Sequence, residues 1–199
     1  MVRVSAELAG NSDRLRWNAK YAAGFGAAFA AHPVAVRVLS MRLPPGPMLE
    51  LACGLSGGVL LAAEAGRPVV AVDASDVALG RLEAEARSRG LGDLVTLVHA
   101  DLAKWHPEPA GYALVVCTGY WDRGVFPGAA DAVMPGGSLG WEALTLAARR
   151  GRPSLPEDWC VREGEPASLL PPSWQVNAQY EPRSANGSAR RLLATRLSA

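Results

Sequence analysis

Cysteine is scarce. The three present, Cys53, Cys117 and Cys160, have no metal-ligand spacing and form no disulfide framework. Cys53 and Cys117 sit at the ends of apolar runs, where a free thiol acts as a small hydrophobe, so a reducing, cytoplasmic compartment is expected. No stretch approaches 18 uninterrupted apolar residues, which argues against a membrane span. The first residues lack a basic segment followed by an apolar run, so they do not read as a secretory signal. An excess of one charge is missing too. The formal net charge is +1, which gives no electrostatic case for nucleic acid or an anionic membrane. The basic residues are mostly arginine and scattered. Their densest cluster, Arg149, Arg150 and Arg152, flanks Gly151 and Pro153 and reads as a solvated loop. Neither an internal repeat nor a low-complexity tract is visible.

What is present is an ordinary globular composition, 49% hydrophobic and 20% charged. A chain of this length is expected to fold as one domain, burying roughly 70% of its unfolded surface. Its centre is Pro47-Met48-Leu49-Glu50-Leu51-Ala52-Cys53-Gly54-Leu55-Ser56-Gly57-Gly58. An apolar run carrying a carboxylate breaks there into a small-residue turn, and a helical pattern follows at Val59 to Ala65. Strand, glycine turn and helix together place a backbone-lined hollow at the carboxyl end of a first strand.

Upstream, a helix is expected from Ser12, capped by Ser12 or Asp13, with Leu15, Trp17, Tyr21 and Phe25 recurring at helical intervals. A second apolar stretch runs from Val34 to Met41 after Pro33, a residue that suits a first helical position. Residues 1–12 read as loosely ordered. Downstream, strands are expected at Val69 to Val72, Leu94 to Val98, Ala113 to Cys117 and Ser138 to Leu144. Between them lie a helix from Ser75 or Asp76 to about Arg89 and another from about Phe126 to Met134, stopped by Pro135-Gly136-Gly137. A short helix is expected near Glu165 to Leu170. The chain closes on two extended runs, Trp174 to Tyr180 and Arg190 to Leu197, joined by the turn-forming Ser184-Ala185-Asn186-Gly187-Ser188. The whole is an α/β, Rossmann-like, doubly wound and mostly parallel seven-stranded sheet with an antiparallel C-terminal strand. It divides into a helical lid (1–45), a core (46–145) and a substrate-side loop with hairpin (146–199).

Three carboxylates, Glu50, Asp73 and Asp101, fall at successive strand ends, which converge on one crevice in a parallel sheet. The spacing of Glu50 and Asp73 suits a carboxylate that accepts both hydroxyls of a ribose. Asp101, one strand further over, is placed to accept from the exocyclic amine of a base. Each alone is as well explained as a cap or a surface charge; together with the glycine turn they favour a nucleoside pocket. The G-x-G-x-x-G fingerprint of dinucleotide binders is not matched. The acid in the first strand also repels a pyrophosphate and favours a cationic ligand.

On these features the sequence resembles the class I S-adenosylmethionine-dependent methyltransferases. The resemblance rests on Leu49-Glu50-Leu51-Ala52-Cys53-Gly54, Val70-Ala71-Val72-Asp73-Ala74-Ser75, His99-Ala100-Asp101-Leu102, the strand into Cys117-Thr118, and Pro135-Gly136-Gly137. Arg16-Trp17-Asn18-Ala19-Lys20-Tyr21 further resembles the N-terminal segment of the tellurite-resistance and thiopurine methyltransferase-like branch. The sequence departs from the family pattern at Glu50, Ala52 and Ser56, where Asp, Gly and Gly are more usual.

The resemblance implies S-adenosyl-L-methionine as cofactor and a role for each matching residue. Glu50 would face the ammonium, Ala52 and Gly54 would let the backbone pass beneath the methionine part, and Asp73 would hold the ribose. Ala74, Asp101 and Leu102 would surround the adenine. Cys117 and Thr118 would offer backbone groups near the methionine end. Trp17 and Tyr21 would cover the site, although the same pair reads equally well as a core stripe. The acceptor would lie near Tyr120, Trp121 and Arg123, with Arg123 receiving an anionic group; for Arg123 and its neighbour Asp122 a packed loop is the plainer reading. Glu142 is a remoter possibility, and His106 reads as exposed. No catalytic base and no metal site is assigned. The Asn/Asp-Pro-Pro-Tyr signature of base and glutamine methylation is replaced by Cys117-Thr118-Gly119-Tyr120. A small-molecule acceptor is therefore expected, with no nucleic-acid or membrane partner and a monomer or weak homodimer. Two rival readings stay open: a cofactor-binding module without turnover, and a nicotinamide-dependent oxidoreductase.

Overall fold

Largely apolar four- to seven-residue runs pair best where both sheet faces are covered by helices, and three such runs lie side by side in the middle of the sheet. The computed structural model describes residues 8–26, 29–182 and 188–198. Its strands are β1 (Met48–Leu51), β2 (Val69–Asp73), β3 (Val95–His99), β4 (Tyr112–Thr118), β5 (Val133–Leu144), β6 (Trp174–Tyr180) and β7 (Ala189–Arg196). They lie in the order β3-β2-β1-β4-β5-β7-β6. The first five pair parallel, and β7 runs antiparallel to both β5 and β6. The order reverses between β1 and β4, the place where an open α/β sheet leaves a crevice beyond its carboxyl ends.

The helices are α1 (Ser12–Ala22), α2 (Pro33–Leu39), α3 (Gly57–Glu64), α4 (Asp76–Ser88) and α5 (Val125–Asp131). Alternation along β1 sends Leu49 and Leu51 to one face, packed with Trp121, Phe126 and Trp141. Met48 goes to the other, against Val34, Val38, Val59 and Leu60 of α2 and α3. Among the described residues no helix is long and apolar enough to cross a membrane.

Four local expectations are corrected. Asn11, not Ser12 or Asp13, caps α1, its side chain accepting from the Arg14 N–H at 2.9 Å. The helix expected to reach Met134 stops at Asp131, and β5 begins at Val133 rather than Ser138. Pro135-Gly136-Gly137 forms a bulge inside the strand, with Gly136 at φ 76°, and regular pairing resumes at Ser138. A Cβ at Gly137 would lie 2.8 Å from the Ala113 carbonyl, so the segment hugs β4, and the register slips between Tyr112 and Leu114. The short helix near Glu165 is one 3-10 turn, Ala167–Leu169. Residues 1–7 and the turn residues 184–187 lie outside the described residues.

Candidate active site

The turn after β1 is built from small residues under close constraint. Ala52 and Gly54 both take left-handed backbone, φ 49° and 52°. A Cβ on Gly54 would overlap the Tyr21 hydroxyl, and one on Gly57 would overlap the backbone of residues 29–31. The Ser56 side chain caps α3 by accepting from the Gly58 and Val59 N–H groups at 2.9 and 3.2 Å.

Beyond this turn opens a cavity of about 540 Å³ at the carboxyl ends of β1, β2, β4 and β5, a size suited to a small ligand. Glu50, Asp73 and Asp101 all line it. The convergence expected of the three strand ends is therefore present. Glu50 is buried, and its Oε2 has no hydrogen-bond partner among the described residues. Burial pushes its carboxyl up to about 7, against a smaller opposing pull from the Ser56 hydroxyl. Asp73 is buried as well, but both its oxygens are engaged: Oδ2 accepts the Gly54 N–H at 2.8 Å and Oδ1 the Ser75 N–H at 2.7 Å. Burial raises its carboxyl, and those two N–H groups with His99 hold the rise back. Asp101 accepts from Asn11 Nδ2 at 3.0 Å and from the Ala103 N–H at 3.0 Å.

α1 lies across the mouth. Trp17, Tyr21 and Phe25 line the cavity as a triangle of rings, each centroid 5.8 or 5.9 Å from the other two. Burial, then the charge of Asp73, pushes the Tyr21 hydroxyl well above its ordinary range, so it stays protonated. The helix is tied down on its other side. Asp76 Oδ1 accepts from Arg14 Nε and Asn18 Nδ2, both at 2.7 Å, and Ser75 donates to Asn18 Oδ1 at 2.6 Å. Asn11, Arg14 and Asn18 were not legible as site residues, because their partners lie far along the chain.

Ala52, Ala74, Leu102, Thr118 and Tyr120 also line the cavity. Four expected residues are placed differently. Gly54 supports the lining through Asp73 without facing the hollow. Cys117 is fully buried on the far face of β4, and Thr118 and Gly119 line the cavity instead. Trp121 turns into the core, its ring 5.5 Å from Phe126 and 6.1 Å from Trp141. Arg123 faces a separate cleft and pairs with the buried Glu165 at 3.0 Å. Burial in the core and one ion pair thus turn Trp121 and Arg123 away from the cavity. The wall on that side is made by Phe25, Ala30, His32, Glu142, Leu144 and Arg152. Glu142 accepts from Arg191 at 2.6 Å and pairs with His32 at 3.1 Å. Burial alone would raise its carboxyl, but those two contacts outweigh it and hold Glu142 below the usual range. His32 is occupied at both ring nitrogens, since Nδ1 accepts the Val34 N–H at 3.2 Å.

Residues 48–137 match the family model described as a methyltransferase domain. No curated protein matches the sequence. Among solved structures, TehB from Haemophilus influenzae superposes with a TM-score of 0.67 at 17% identity, covering 90% of this chain and 66% of that one. Magnesium protoporphyrin IX methyltransferase from Synechocystis, with bound S-adenosylhomocysteine, gives 0.64 at 18%, covering 82% and 80%. Geranyl diphosphate C-methyltransferase from Streptomyces coelicolor, with its diphosphate analogue and S-adenosylhomocysteine, gives 0.65 at 14%, covering 82% and 74%. The fold is the one these methyltransferase structures share, and residues 48–137 carry the match to the methyltransferase-domain model.

Proposed function

We propose that the protein is an S-adenosylmethionine-dependent methyltransferase acting on a small-molecule acceptor. One observation carries this reading. Glu50 is a buried carboxyl on the cavity wall with an oxygen that meets no partner among the described residues, and an acid whose ionised form is penalised by burial is relieved by a cation that pairs with it. The ammonium and sulfonium of S-adenosylmethionine supply that charge. The donor set fits the rest of the molecule. Asp73 at the end of β2 has lone pairs for the ribose hydroxyls beyond those given to Gly54 and Ser75. Asp101 and Leu102 stand one strand further over for the adenine, and Trp17 and Tyr21 cover the opening.

When bound, the cofactor supplies an electrophilic methyl group. This chain's part is orientation and exclusion of water, which together remove roughly 7–11 kcal/mol of barrier from a well-aligned bimolecular step. Tyr120 and Thr118 border the space on the β4–β5 side, where an acceptor would approach. Among the described residues no strong base stands there: Glu142 has its oxygens engaged by Arg191 and His32, which hold its carboxyl below the usual range, and burial keeps the Tyr120 hydroxyl protonated. An acceptor already nucleophilic at neutral pH suits such a wall.

The finer placement, in the tellurite-resistance and thiopurine methyltransferase-like branch, belongs to this proposal and is supported by α1 lying over the cavity. So do a single domain spanning 1–199, a monomer or weak homodimer and a cytoplasmic setting, the last supported by three free buried thiols. Calorimetry with S-adenosylhomocysteine tests the reading. The wild type binds it, and Asp73→Asn weakens binding by about 1.5–3 kcal/mol through hydrogen bonds lost from a charged acceptor. Failure of the wild type to bind, or equal affinity in the variant, removes the assignment.

A further inference from the structure

Resting on that reading and going one step past it, the geometry points to Arg152 as the anchor for an oxyanionic group, a carboxylate or phosphate, on the methyl acceptor. The cavity's charges lead there by accounting for each in turn. Glu50, Asp73 and Asp101 stand over β1, β2 and the end of β3, the cofactor's half. Asp13 pairs with Arg16 at 2.9 Å, and Glu142 is neutralised by Arg191 and His32. Arg152 is the one arginine or lysine among the lining residues, and among the described residues it makes no ion pair and no side-chain hydrogen bond. A guanidinium left over at the rim of a carboxylate-rich hollow has a planar pair of donors free for an oxyanion.

Its position is built. The chain leaves β5 at Leu144 and passes through the 3-10 turn Leu146–Arg150, and the Arg152 N–H donates to the Arg149 carbonyl at 3.3 Å while its own carbonyl accepts from Leu155 at 3.0 Å. Arg149 locks the loop from outside, donating to the Leu155 carbonyl at 3.1 Å and to Glu157 at 3.2 Å. Arg152 thus comes from the strand beyond β4, across the sheet's reversal point from the cofactor's half. The methionine carboxylate, expected over the turn after β1 beneath α1, would lie on the other side. Phe25, Ala30, Leu144 and Tyr120 add apolar lining to the same cavity. The acceptor class is therefore a small molecule with an apolar body and one anionic end. The solvated loop expected from the sequence supplies the contact once expected of Arg123.

The test uses the full chain saturated with S-adenosylhomocysteine, titrated with benzoate, phenyl phosphate and benzyl alcohol by calorimetry and ligand-observed NMR. In the wild type at least one anion binds about tenfold or more tightly than the alcohol, and which one separates carboxylate from phosphate. Arg152→Ala abolishes that preference with affinity for S-adenosylhomocysteine and melting temperature unchanged, and Arg152→Lys keeps part of it. A wild type without preference, or a preference surviving Arg152→Ala, overturns the assignment. Loss of S-adenosylhomocysteine affinity in Arg152→Ala also overturns it, by moving Arg152 to the cofactor's own carboxylate. A wild type that fails to bind S-adenosylhomocysteine at all overturns the methyl-transfer reading, and this inference with it.

Discussion

Glu50 and Asp73 are neighbouring buried carboxylates that differ in what their oxygens meet. Backbone N–H groups occupy Asp73, whereas Glu50 keeps one oxygen bare, so its ionisation opposes the folded state of the empty protein. Its carboxyl is raised from 4.5 to about 7. Below the lower value the group is protonated in both folded and unfolded chains and costs nothing. As pH rises through the window the unfolded chain ionises first, and stability falls until the folded carboxyl ionises too, by about 3 kcal/mol in all. Glu50→Gln should remove this slope: urea denaturation at several pH values should show the variant gaining on the wild type as pH rises. Cofactor binding near pH 6 should also release a proton from the wild type and none from the variant, which calorimetry in buffers of differing ionisation enthalpy detects. The turn beside it offers a second comparison. Gly54→Ala places a Cβ on left-handed backbone against Tyr21 and should cost about 2 kcal/mol or more along with cofactor affinity. Ala52→Gly relieves the same backbone strain and should stay within about 1 kcal/mol of the wild type in denaturant.

Among the elements, α1 is attached chiefly through polar groups. Asn18 joins Ser75 and Asp76 in a cluster at the start of α4, so Asn18→Ala should loosen the helix by about 1–2 kcal/mol. Faster amide exchange over Ser12–Ala22 and weaker cofactor binding should follow with little change in melting temperature; unchanged exchange would count against the cluster as the attachment. The helix itself was legible from the recurrence of Leu15, Trp17 and Tyr21, whereas Phe25, read into the same stripe, lies in the turn past its end at Ala22. Its docking was not, because Asn18 reaches Asp76 across 58 residues and Asn11 reaches Asp101 across 90, and no local pattern records such pairings. The strands were legible as apolar runs, and α2 and α4 from Pro33 and Ser75 at their starts. The onset of β5 was hidden because Pro135-Gly136-Gly137 has the composition of a turn and bulges out of register, with Gly136 at φ 76°, between the pairings of Val133 with Tyr112 and of Ser138 with Leu114.

In the whole molecule, the sheet order brings the acids of β1, β2 and the end of β3 to one side of the reversal point and Glu142 and Arg152 to the other. That much of the site followed from alternating strands and helices. The facing of individual side chains in the loop after β4 did not: Trp121 and Arg123 stand two apart in the sequence, yet one enters the core and the other meets Glu165. Trp141 ties this core to the cavity, its indole N–H donating to the Tyr120 carbonyl at 3.1 Å. Trp141→Phe should lower stability by about 2 kcal/mol, from lost volume and a stranded carbonyl. It should weaken acceptor-side probes while leaving S-adenosylhomocysteine affinity near that of the wild type, by denaturation and titration. The ring of carboxylates around the hollow has one more effect. A sulfonium and the thioether it becomes are nearly alike in shape but differ by a unit of charge, and negative surroundings hold the first more firmly. On the proposed reading, delivery of the methyl would loosen the protein's grip on the spent carrier, and each cycle would hasten its own clearing.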